Sequence, residues 1–72
     1  MVAELANRLR ELRATRDLTQ AALAEAVGVS RKTINTVENG VFTPSTTLAL
    51  KLAQALECRV EDIFFLSMGV QS

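Results

Sequence analysis

The sequence contains no histidine, tryptophan or tyrosine, and only one cysteine, one proline and three glycines among its 72 residues. A single thiol cannot close an internal disulfide, and without histidine the common zinc ligand sets cannot be assembled. Nor is there an activated-cysteine constellation or a glycine-rich phosphate loop, so neither an enzyme nor a bound cofactor is expected. No stretch approaches the roughly 18–20 consecutive apolar residues that a membrane span requires. The charged, amphipathic start from Met1 to Leu12 does not read as a signal peptide. The chain is therefore read as a cytoplasmic protein with no membrane association and no evident small-molecule ligand.

Net charge is also missing, standing at zero. Its distribution is less even. Residues 1–32 carry six bases (Arg8, Arg10, Arg13, Arg16, Arg31, Lys32) and four acids, whereas residues 33–72 carry two bases (Lys51, Arg59) and four acids. Alone, this is a weak electrostatic signature for a nucleic-acid partner.

What is present is apolar and helix-forming: 49% of the chain is hydrophobic, and Ala and Leu are abundant. That composition points to an all-α domain spanning residues 1–72. Domains of this size bury only about 60% of their unfolded-chain surface. With disulfide and metal excluded, tight helix packing and self-association remain as supports.

Five helices are expected. Leu5, Leu9 and Leu12 recur on one helical face and place helix 1 over Ala3–Thr15. Thr19 suits an N-cap for helix 2, Gln20–Val27, with Leu23, Ala24 and Val27 inward and Gly28 at its C-terminus. Ser30 suits a cap for helix 3, Arg31–Glu38, which Asn39-Gly40 ends. Ser45 opens helix 4, whose apolar face is Leu48, Ala49, Leu52, Ala53 and Leu56. A short helix 5 covers about Val60–Phe64. From Phe64 the apolar residues alternate (Phe64, Leu66, Met68, Val70), the period of a short strand.

Residues 19–40 carry the functional signal. Two short helices joined by the turn Gly28-Val29-Ser30 form a helix-turn-helix unit that leaves the outer face of the second helix free. The B-DNA major groove, about 12 Å wide, admits one such helix. Stepping about 100° per residue from the inward Ile34 places Lys32 and Thr36 nearly opposite it, flanked by Thr33 and Asn35. Arg31 projects from the first turn. Glu38, only about 40° from Ile34, points inward and needs a partner. Arg13 can supply it.

The run Gln20-Ala21-Ala22-Leu23-Ala24, Val27 to Asn35 and Glu38-Asn39-Gly40 resembles the Xre family of phage-repressor-like helix-turn-helix proteins. Pro44-Ser45, Leu48 to Ala53 and Glu61 to Phe64 look like its compact, cytolysin-repressor-like branch. The resemblance covers about residues 5–66. It implies a transcriptional regulator, most often a repressor, on double-stranded DNA. Arg31, Lys32 and Thr36 would then face bases. Gln20, Ser30, Thr33, Asn35, Asn39, Thr43 and Arg10 would contact phosphates or support the readers, with Lys51 a weaker candidate. Related repressors also show an ion pair like Arg13–Glu38. Such proteins often carry Gly after helix 4 and Ser or Thr before helix 5, where this chain has Glu57 and Arg59. Two alternatives stay open: an antitoxin that grips a protein partner with the same scaffold, and the DNA-binding part of a longer ligand-sensing regulator.

Cys58, between helices 4 and 5, reads as a small packed residue rather than a redox site. The apolar tail, Ile63, Phe64, Phe65, Leu66, Met68 and Val70, is too rich to leave on a small monomer's surface. It predicts a homodimer interface within residues 60–70, with antiparallel strand pairing across the two-fold axis as one arrangement.

Overall fold

The computed structural model describes residues 3–68, with the backbone alone at Ala3 and Met68. The chain runs β1 (Ala3–Asn7), α1 (Leu9–Thr15), α2 (Gln20–Val27), α3 (Arg31–Glu38), α4 (Thr46–Leu56), α5 (Val60–Ile63), β2 (Phe64–Met68). Three helices start where a hydroxyl is available to an orphan N–H. The side chain of Thr19 accepts from the Ala22 N–H at 3.0 Å, Ser30 from Thr33 at 3.1 Å, and Ser45 from Leu48 at 3.1 Å. Each such cap stabilises a helix by about 1 kcal/mol. Gly28 ends α2 in the left-handed conformation (φ 76°), which L-residues adopt with difficulty. The core collects one face from each helix: Leu9, Leu23, Ile34, Val37, Leu52, Leu56 and Ile63 are fully buried.

The N-terminus departs from expectation. Helix 1 starts at Leu9, not Ala3, and the residues before it form a strand. Asn7 makes the break: its Oδ1 accepts from the Leu9 N–H at 3.0 Å, while its Nδ2 donates to the Val37 carbonyl at 3.0 Å. The turn before Leu9 would have added little helical stability, because short helices depend on packing rather than propensity. Paired with β2, the same residues satisfy a full ladder. Leu5 consequently leaves the face of Leu9 and Leu12 and is 44% exposed.

The expected C-terminal strand does form, but its partner lies in the same chain. β2 pairs antiparallel with β1 in the register Ala3↔Met68, Leu5↔Leu66, Asn7↔Phe64. Two residues assigned to a dimer interface are also corrected: Ile63 (0% exposed) and Phe64 (8%) belong to the protomer's own core. Ile63 ends α5 and Phe64 opens β2, and both pack into the same core cluster as Leu52 and Leu56 of α4, Phe64 keeping one edge on the surface. Phe65 is half-buried beneath the Arg8 guanidinium, 4.5 Å from the ring centroid. Leu66 remains 68% exposed. The side chain of Met68 and the whole of Val70 lie outside the described residues.

The α4–α5 junction carries the two unusual residues as expected. Glu57 occupies the left-handed C-cap of α4 at φ 55°, a conformation that favours glycine. Arg59 has no acceptor with which to cap α5. Asp62 reaches back instead, its carboxylate accepting from the Arg59 N–H at 3.0 Å. That backbone bond and the Arg59 side chain hold the Asp62 pKa below its ordinary value.

Candidate DNA-reading surface

α3 is a helix of two unlike faces. Ile34 and Val37 are buried against the core, while Arg31, Lys32 and Asn35 are exposed on the other side. Val29, inside the turn, packs against the core and fixes α3 relative to α2. Among the described residues neither Arg31 nor Lys32 has an ion-pair partner. Both cations therefore stand free on a rigidly held helix.

The rigidity comes from one buried carboxylate. The Glu38 side chain is fully buried and accepts from Arg13 Nε at 2.6 Å and Nη2 at 3.4 Å, from Gln20 Nε2 at 3.0 Å, and from Arg10 Nε at 3.4 Å. Arg13 also donates through Nη1 to the Leu18 carbonyl at 2.7 Å. α1, α2 and α3 thus meet on one side chain. Burial acts to raise the Glu38 pKa, but hydrogen bonds from Arg13 and Gln20, the Arg13 charge and the Arg10 contact outweigh it. The carboxyl is held below its ordinary value. The expected Arg13–Glu38 pair is present, and Gln20 and Arg10 extend it.

The remaining expected site residues divide into free and committed groups. Thr36 is half-buried: its hydroxyl donates to the Thr33 carbonyl at 2.9 Å, and the loop N–H groups of Val41 and Phe42 return to its own carbonyl. Its hydroxyl hydrogen is therefore occupied within α3. Ser30 and Thr33 share a hydroxyl–hydroxyl bond of 3.0 Å at the start of the helix. Gln20 has one amide N–H on Glu38, beside a concavity of about 390 Å³ lined by Arg13, Thr19, Gln20, Ala21 and Arg31. Arg10, largely exposed, donates to Asn39 Oδ1 at 2.8 Å, and Asn39 Nδ2 donates to Asn35 Oδ1 at 3.2 Å. Thr43 is exposed in the α3–α4 loop. Lys51 borders a groove with Val27 and Gly28 at the C-terminus of α2. Sequence reasoning did not anticipate Asn7, although an asparagine just ahead of a leucine-rich helix is a usable boundary signal. Of the other bases in the first half of the chain, Arg8 lies over the Phe65 ring and Arg16 pairs with Glu57 at 3.2 Å.

The helix-turn-helix family model (HTH_3) matches residues 9–63, from the first residue of α1 to the last of α5. The chain belongs to this Xre-like family of helix-turn-helix transcriptional regulators. The uncharacterized HTH-type transcriptional regulator YgzD of Bacillus subtilis is 43% identical over 60 residues, covering 83% of this chain and 91% of the relative. An HTH-type regulator of Methanocaldococcus jannaschii is 47% identical over 81% of this chain and 88% of its own length. Among solved structures, the restriction-modification controller protein C.AhdI of Aeromonas hydrophila superposes with a TM-score of 0.73 at 40% identity. It covers 76% of this chain and 83% of its own. The P22 c2 repressor, solved in complex with a synthetic operator, gives a TM-score of 0.73 at 35% identity, over 75% and 82%. No described helix is long and apolar enough to cross a membrane.

Proposed function

We propose that this protein is a sequence-specific double-stranded DNA-binding regulator in the cytoplasm, acting as a homodimeric repressor with α3 in the major groove of a palindromic operator. The observation that carries the reading is the pair of exposed cations, Arg31 and Lys32, without ion-pair partners among the described residues, at the front of a helix held by Glu38. A guanidinium or ammonium directed at guanine O6 and N7 is the commonest specific contact in the major groove, contributing about 1–3 kcal/mol of discrimination. The concavity between the α2 and α3 N-termini, walled by Gln20, Thr19 and Arg31, offers donors to a flanking phosphate. The P22 c2 repressor, similar in fold and solved in complex with a synthetic operator, supports a DNA partner by analogy.

Dimerisation is supported by the apolar surface that the intrachain sheet leaves open. Leu5, Leu50 and Leu66 are exposed, and Leu5 and Leu50 rim a groove of about 490 Å³ whose walls include Pro44, Ala49, Val60 and Phe64. A second copy seated there would bury these leucines and set two α3 helices on half-sites about one DNA turn apart. Repression follows from occlusion of the promoter by such a dimer.

Selection of bound sequences from random duplex DNA tests the proposal. The expected result is an inverted repeat with half-sites about 10 bp apart, recovered by the wild-type chain and lost with Arg31→Ala/Lys32→Ala. A folded chain that enriches no sequence contradicts it and favours a protein partner.

A further inference from the structure

We propose that Asn35 is a specificity-determining residue that offers the DNA only hydrogen-bond donors, because its amide is locked by Asn39, whose own amide is oriented by Arg10. This rests on the DNA-reading role of α3 and assigns one position of its code.

The polarity follows from donor and acceptor chemistry. A guanidinium has five N–H donors and no acceptor. The Asn39 atom that lies 2.8 Å from Arg10 Nη2 must therefore be its oxygen. The other end of the Asn39 amide is then the NH₂ group, and the Asn35 atom 3.2 Å away must be an acceptor, Oδ1. What Asn35 turns outward is its Nδ2, with no partner among the described residues. The chain starts from a fixed point, since Arg10 Nε also donates to the buried Glu38 carboxylate at 3.4 Å. The backbone reinforces it: the Asn39 N–H donates to the Asn35 carbonyl at 3.1 Å, holding the two side chains one turn apart.

Asn35 is exposed and sits one helical turn beyond Arg31 and Lys32, its i−4 and i−3 neighbours. It therefore shares their side of the helix and approaches a neighbouring base pair. An asparagine free to rotate reads adenine, accepting from N6 and donating to N7. As held here, Asn35 has its oxygen turned to Asn39 and its NH₂ group at the opposite end of the amide. The group it presents to a base is thus the donor and not the acceptor that the adenine amino group needs. Its two donors match the acceptor edge of guanine, O6 and N7, and tolerate thymine O4. The base preference at this position is thus written outside α3, in an arginine of α1.

The test compares selected duplexes for the wild type, Asn35→Ala, Asn39→Ala and Arg10→Met. Asn35→Ala identifies the base pair concerned by flattening its preference. The wild type is expected to favour guanine there, with adenine disfavoured. Releasing the amide, by Asn39→Ala or independently by Arg10→Met, should raise adenine relative to guanine by about fivefold at that pair alone, the effect of one hydrogen bond. Adenine favoured by the wild type, an unchanged preference in both releasing variants, or an Asn35→Ala chain weakened equally on all sequences overturns the inference while leaving α3 as the DNA reader. Enrichment of no sequence by the wild type overturns both.

Discussion

The helix-turn-helix unit and the two-stranded sheet are built by different means. In α2, α3 and α4 every start has a nearby cause, a capping hydroxyl at Thr19, Ser30 and Ser45, and α2 also ends on a left-handed glycine, Gly28. The sheet has none. β1 becomes a strand because β2, about sixty residues later in the chain, pairs with it. Local chemistry positions the functional helix, and long-range pairing shapes the surface on which a second copy would dock. The first unit carries the signals for its helix starts within a few residues. The second depends on both ends meeting.

The sharpest way to break this contrast is to remove the carboxylate on which the long-range contacts from Arg10, Arg13 and Gln20 to the reading helix converge. Glu38→Ala leaves the largely buried Arg13 guanidinium without its counter-charge, and stability to denaturant should fall by about 3 kcal/mol, the lower end for a buried pair. The pH dependence has a definite sign. Because the folded-state pKa of Glu38 lies below its ordinary value, its contribution is complete above the unfolded pKa and is lost as pH falls through the folded one. Denaturation midpoints between neutral pH and about pH 3 should drop for the wild type. Glu38→Gln should be less stable at neutral pH and show a flatter profile.

Arg31→Ala and Lys32→Ala should act on function alone. Each is expected to lower affinity for the selected operator by about 1–3 kcal/mol, with melting unchanged within about 0.5 kcal/mol. The sheet should show the reverse pattern. Leu5→Asp and Leu66→Asp lie on the exposed face of β1 and β2. They should leave the protomer folded and weaken self-association at least about tenfold, or about 1.4 kcal/mol, by sedimentation. Smallest of all, Glu57→Gly relieves a positive φ and should raise stability by about 0.5–1 kcal/mol. The exposed Arg16–Glu57 pair that it removes contributes little.

The sequence was legible where chemistry is local. The caps, Gly28, the inward faces of α2 to α4 and the Arg13–Glu38 pair follow from residue type and helical period, and all are present. Leu5 misled because its spacing from Leu9 and Leu12 fits a helix; nothing within a few residues reveals that a strand will arrive from the other terminus. Ile63 and Phe64 misled for a related reason. Apolar side chains in a tail can serve a partner or the chain's own core, and only the path of α5 decides. Within the site, Arg31 and Lys32 were visible as an outward face. The committed state of Thr36 and the Arg10–Asn39–Asn35 chain was not, because both depend on hydrogen-bond geometry between elements.

The central claim, that α3 and not the sheet surface meets DNA, is tested most directly by titrating the ¹⁵N-labelled chain with its selected duplex and following backbone amide shifts. The account predicts changes centred on Arg31, Lys32, Asn35 and the first turn of α2, with Leu5 and Leu66 unmoved by DNA. Shifts concentrated on Leu5, Leu50 and Leu66, with α3 unchanged, would contradict it.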